Sequence, residues 1–215
     1  MVSATEIVRL QDRLTREWHG SPDARASGLS VDGIGNDGAW LALVERQHRA
    51  NFDLWHIEDE ARAPGARDAE IARVKRQIDR TNQHRSDLVE ELDSAIQDWM
   101  KARGLPNPDA PLNSEPPGMM IDRLSILALK IYHTREETER KDAPTGHVEL
   151  NSSRLAILEE QRGDLAGCLD ALWQETVGGK RRFKLYRQLK MYNDPTLNPA
   201  IYGKSGGRSG AGKIK

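Results

Sequence analysis

Apolar residues recur at three- and four-residue intervals over most of the chain, the period of an amphipathic helix. Ser3-Ala-Thr-Glu6 reads as a capping box, and Ile7, Leu10, Leu14 and Trp18 follow at helical spacing, so a first helix is expected over 4–19. Residues 20–36 hold four glycines and a proline and read as a loop. A second helix is expected over 38–63, stopped by Ala63-Pro-Gly65. A third, over 68–102, carries Ile71, Val74, Ile78, Val89, Leu92, Ile96 and Trp99 on one stripe. Five prolines within 103–118 mark a linker. The fourth helix, 119–141, is apolar on more than one side and reads as the most buried. The fifth, 148–177, stops at Gly178-Gly179. A short basic helix is expected over 180–192, and 203–215, rich in Gly, Ser and Lys, is expected to be disordered. No segment shows strand alternation. The expected fold is all-α: one domain over 1–202, an antiparallel four-helix bundle of two similar hairpins (38–102 and 119–177) with short helices added at both ends.

The hairpins resemble each other. A shift of 77 residues aligns 45–96 with 122–173 without a gap. Trp55-His56 falls on Tyr132-His133, and Arg85-x-Asp87-Leu88-x-x-x-Leu92-Asp93 falls on Arg162-x-Asp164-Leu165-x-x-x-Leu169-Asp170. A duplication of this kind predicts a pseudo-twofold axis, with equivalent residues facing each other across the core.

Polar residues interrupt the buried stripes. On the second helix Gln47, His48, Asn51, Glu58, Asp59 and Arg62 project to the core-facing side. On the third Asn82 and Arg85 do so, with Lys75 and Asp93 at the margin, and on the fifth Arg154, Gln161 and Arg162. Burying an unpaired polar group costs about 1–3 kcal/mol, so these groups either pair with one another or line a wet cavity. Arg85 and Arg162 are the repeat-related forks that suit a phosphate or carboxylate. Glu58 and Asp59 are candidates for acid–base work, and His56, Asp59 and Asp93 for a divalent metal. His56-x-x-Asp59 and His133-x-x-Glu136 read more simply as surface histidine–carboxylate pairs.

Composition narrows the classes. Charged residues are 30% and hydrophobic residues 37% of 215, which suits long helices with one wet face. No apolar run approaches a membrane span, no secretory signal opens the chain, and the single cysteine, Cys168, excludes an intrachain disulfide; a cytoplasmic home is expected. The last forty residues carry ten Lys and Arg against one acid, Asp194, making a basic end on an acidic body. This end can dock an acidic partner protein, while a pI near 6.6 argues against nucleic acid. An exposed bundle face is compatible with a homodimer.

Four phrases carry a family resemblance: Asn51-Phe-Asp-Leu-Trp-His-Ile-Glu58-Asp59; the run from Lys75 through Asn82 and Arg85 to Asp87; Pro117-Gly-Met-Met-Ile-Asp122-Arg123; and Phe183-Lys-Leu-Tyr-Arg187 through Asn193 to Asn198-Pro. They resemble the bacterial family known as domain of unknown function 4254 over about residues 38–202, with Ser86 standing where the family is expected to carry Asn. The resemblance implies a link to bacterial glycan assembly and carries over no catalytic assignment. It adds weight to Asn51, Glu58, Asp59, Asn82, Arg85, Asp122, Arg123, Arg187 and Asn193. Three readings follow. One is a bundle binding a phosphorylated small molecule or sugar nucleotide, through Asn51, Arg62, Lys75, Asn82, Arg85, Arg123, Arg162 and Arg187. Another is a non-catalytic adaptor that docks a partner enzyme by its basic end. The third is a metal-dependent phosphohydrolase.

Overall fold

Ser3 closes the expected capping box: its hydroxyl accepts from the Glu6 N–H at 3.3 Å and its own N–H donates to the Glu6 carboxylate at 2.8 Å. Helix α1 runs Ala4–Gly20 and is followed by α2 (Gly35–Ala61), α3 (Asp68–Lys101), α4 (Pro117–Thr138) and α5 (His147–Val177). The computed structural model describes residues 3–20, 35–189 and Leu197. Most of the expected 20–36 loop, residues 190–192 of the expected basic helix and the 203–215 tail lie outside the described residues. Pro117 opens α4 at the one helical position where its missing N–H costs nothing. Gly146, at a φ of 82°, turns the chain into α5. Among the described residues no helix is long and apolar enough to cross a membrane.

The fold is all-α, and its side-chain pairs give the helix directions. Arg46 reaches Glu91 and Arg73 reaches Glu60, so α2 and α3 run antiparallel. Arg135 with Glu159 and His147 with Glu137 do the same for α4 and α5. Gln47, at the middle of α2, meets Asp122 near the start of α4, and Trp55 meets His133 further along both, so these two run parallel. Helix α1 runs with them: its Thr15 meets His48 and its His19 meets His56. Far from being an addition at the end, α1 packs on α4, α2 and α5 and buries Ile7, Leu14 and Trp18. Helix α4, the expected most buried helix, touches all four others.

The chain after α5 departs from expectation. Residues 181–188 are extended rather than helical. The Arg182 N–H donates to the Pro111 carbonyl at 3.0 Å and its carbonyl accepts from the Asn113 N–H at 2.7 Å, a short parallel bridge to the 111–113 loop. Phe183 sinks between Ile96 and Met100. A helix here would give up both the bridge and that anchor, so tertiary contact overrides local propensity. Tyr186 and Leu189 are exposed, Leu189 to 78%.

Candidate functional site

The polar residues on the inner side of α2 separate into two groups along the helix. Near its middle they form a closed network. Asp122 of α4, 7% exposed, accepts from Gln47 at 2.6 Å, Asn51 at 2.9 Å and Arg85 Nε at 2.7 Å, all on Oδ1, and from Arg85 Nη2 on Oδ2. Asn51 also donates to Ser125 Oγ at 2.9 Å. Ser125 meets His48 Nδ1 at 2.7 Å, and His48 Nε2 meets Thr15 Oγ1 at 2.9 Å. Thr15 spends its own proton on the Gln11 carbonyl at 2.8 Å. The proton between His48 and Thr15 is therefore on His48 Nε2, and Ser125 donates to Nδ1. Full burial pushes the His48 pKa down to about 3, which keeps the ring neutral in this role.

Further along α2 the polar side chains open outward. Asn51, Glu58 and Asp59 of α2, Arg62 just beyond its end, and Asn82 and Arg85 of α3 line a cleft of about 450 Å³, together with Leu54, Trp55, Ile126 and Leu129. Six of the expected ligand or acid–base residues are thus brought together. Lys75, Arg123, Arg162 and Arg187 do not line this cleft: they pair with Asp79, Glu115, Asp12 and Glu90 respectively. Within it the two guanidiniums are engaged. Arg85 holds Asp122 as a fork, a contact that raises its pKa, and Arg62 lies 3.0 Å from Glu58 and 3.7 Å from Asp59.

The repeated block has a mechanical role in both hairpins. Asp93 of α3 accepts the Gly118 N–H at 2.6 Å at the start of α4, and Asp170 of α5 accepts the Ala4 N–H at 2.8 Å at the start of α1. Arg85 of α3 pairs with Asp122 of α4, and Arg162 of α5 pairs with Asp12 of α1. Each block caps the first turn of a neighbouring helix and braces it a little further on. The arginines do not face each other, because α1 lies along α5. Asp93 is 1% exposed, and its burial outweighs the Gly118 bond and pushes its pKa up to about 7. There is no room for a side chain at 118: a Cβ would sit 2.6 Å from the Val89 carbonyl oxygen.

Repeat-related residues do meet across α2 and α4. His48 bonds Ser125, and the His56 and His133 rings lie 6.1 Å apart, each pair separated by the repeat step of 77. His19 of α1 completes a triangle, 5.1 Å from His56 and 4.9 Å from His133 between ring centres. One nitrogen from each of the three lies within 4.8 Å of the other two. Tyr132 stacks on His19 at 4.3 Å and Trp55 on His133 at 4.7 Å. The expected His133–Glu136 pair is present at 2.9 Å, but the ring is half-buried, covered by Trp55 of α2 and His19 of α1. His56, Asp59 and Asp93 do not converge: Asp59 is in the cleft and Asp93 caps α4. His19 is missing from the sequence-based set, although Trp18-His19 repeats the aromatic–histidine pattern of Trp55-His56 and Tyr132-His133.

No curated protein and no solved structure matches the chain. One family model does, over residues 41–185, from the second turn of α2 to the extended segment beyond Phe183. That span holds the cleft, Asp122 with Gln47, Asn51 and Arg85, and both repeated blocks, and the chain belongs to the family described as Protein of unknown function (DUF4254).

Proposed function

We propose that the protein binds a small polyhydroxylated ligand, a sugar or the sugar part of a sugar nucleotide, in the cleft between α2, α3 and α4. The composition of the lining supports this: two amides, two acids, two guanidiniums and one indole surround about 450 Å³. Asn82 carries both a donor and an acceptor, Asn51 presents its carbonyl oxygen since both its amide protons go to Asp122 and Ser125, and Glu58 and Asp59 accept from hydroxyls. Trp55, Leu54, Ile126 and Leu129 supply the apolar wall such sites use. Each guanidinium is already matched by a carboxylate, so the cleft is poorer in uncompensated positive charge than a phosphate site built from Arg85 and Arg162 would be. The nucleotide, where there is one, is therefore the less strongly held part.

Isothermal titration of the full chain with UDP- and GDP-sugars, the matching free sugars and inorganic phosphate tests this. Sugar-bearing compounds are expected to bind saturably. Asn82→Ala is expected to weaken them about tenfold, the ~1.4 kcal/mol of one good hydrogen bond, with helix content unchanged. Binding that follows inorganic phosphate alone, or that is indifferent to both Asn82→Ala and Glu58→Ala, overturns the reading.

A further inference from the structure

We propose that His19, His56 and His133 form a binding site for one divalent transition-metal ion of the zinc class, held between the parallel helices α1, α2 and α4. The inference does not depend on the cleft reading. Each helix delivers one imidazole nitrogen, and the three lie within 4.8 Å of one another.

Two of the rings have their tautomers set by their other nitrogen. His19 Nδ1 lies 2.7 Å from the Thr15 carbonyl oxygen. A carbonyl only accepts, so the proton is on Nδ1 and Nε2 keeps its lone pair. His133 Nδ1 lies 2.9 Å from the Glu136 carboxylate, and the same argument leaves a lone pair on its Nε2, which is buried and has no hydrogen-bond partner. Metal-ligating histidines are oriented in this way, by a carbonyl or carboxylate on the second nitrogen.

Three imidazoles without a carboxylate suit zinc and its neighbours rather than magnesium or calcium. Two nitrogens on a tetrahedral zinc stand about 3.4 Å apart, so the rings close by about an ångström on binding. Three protein ligands leave the fourth position to water or to an atom of a bound molecule, as in zinc sites that act on a ligand rather than serve as struts. A purely aromatic plug accounts for the stacking of Tyr132 and Trp55. It does not account for the two outer acceptors that fix the ring tautomers.

The test is titration of the chelator-treated full chain with Zn²⁺ and with Co²⁺. One ion per chain is expected, with Co²⁺ gaining the visible absorption of a four-coordinate site. His19→Gln, His56→Gln and His133→Gln keep size and polarity. Each is expected to lose affinity by more than about 100-fold at unchanged helix content, whereas His84→Ala, exposed on α3, keeps it. Glu136→Gln, a positioning change, is expected to lose about 10- to 100-fold. Affinity is expected to fall as pH drops through the imidazole range, since protons compete for the same lone pairs. Failure to bind a stoichiometric ion, or full binding by a chain with all three histidines replaced by Gln, overturns the proposal and leaves the cluster as packing.

Discussion

Helices α3 and α5 carry the same Arg-x-Asp-Leu-x-x-x-Leu-Asp block and use it for the same task, yet only the α3 copy borders the cleft between α2, α3 and α4; Asp164 and Leu165 of the α5 copy line a separate one with Arg123 and Lys130. On α5 the arginine and the closing aspartate serve α1. Arg162 meets Asp12 and Asp170 meets Ala4, and α1 is held in place. On α3 the same two positions meet α4, but Asp122 also collects Gln47 and Asn51 from α2. An ion pair between two helices has become a junction of three. That junction holds Asn51 and Arg85 at the cleft, where a ligand would meet side chains whose geometry is already set. Identical residues therefore did not decide where the cleft lies. The third helix packed against the pair did.

The largest effect that could sharpen this difference is expected from Asp122→Ala. It leaves the Arg85 charge, 28% exposed, without its partner and strips two buried amides of their acceptor. A loss of about 3–5 kcal/mol is expected, the cost of breaking rather than replacing a buried pair. Urea unfolding, with a lowered midpoint and an unchanged slope, is the measurement. A loss below about 1 kcal/mol would mean that Asp122 is no junction.

The helices were legible because period and punctuation are local. Gly178 and Pro117 place boundaries within a turn or so of where they fall, and the Ser3–Glu6 box is visible in four letters. The extended 181–188 segment was not, since its conformation answers to the 111–113 loop and to a hole for Phe183. The cleft was half legible. Projection put Asn51, Glu58, Asp59, Arg62, Asn82 and Arg85 on inward faces, but it could not show that Arg85 would be engaged by Asp122 on the buried side of α4. The histidine triangle was hidden for a different reason. Its third member, His19, lies outside the 77-residue register, so the aromatic–histidine pairs read as two instances instead of three.

A second contrast is electrostatic. Burial takes the His48 pKa from 6.5 to about 3 and the Asp93 pKa from 3.8 to about 7. Below pH 6.5 the unfolded chain binds a proton at His48 that the folded chain refuses, so this group's contribution falls as pH falls. Above pH 3.8 the folded chain keeps a proton on Asp93 that the unfolded chain releases, so that contribution falls as pH rises. Between these limits the slopes oppose each other at about 1.4 kcal/mol per pH unit each. In the parent protein they nearly cancel. Asp93→Asn keeps the carbonyl that accepts from Gly118 and removes one slope, so its stability is expected to climb by about 2 kcal/mol relative to the parent from pH 5 to pH 7. His48→Gln is expected to shift by a similar amount in the opposite sense. Denaturation across pH checks both, and parallel profiles for the two variants would break the assignment.

The smallest effect is expected on the α5 side, and it is the sharpest control. The Arg162 and Asp12 side chains are 17% and 28% exposed, against 28% and 11% for Arg85 and Asp122, so the two pairs are similarly half-buried. If burial of an ion pair set the cost, Asp12→Ala would approach Asp122→Ala. If the cost comes from the α2 amides converging on Asp122, Asp12→Ala is expected to cost only about 1 kcal/mol, in the range of an isolated brace. A double-mutant cycle with Arg162→Ala is then expected to return a coupling of about 1 kcal/mol or less, against several for Arg85 and Asp122. Equal couplings would make Gln47 and Asn51 passengers, and the position of the cleft would then need a cause other than the three-helix junction.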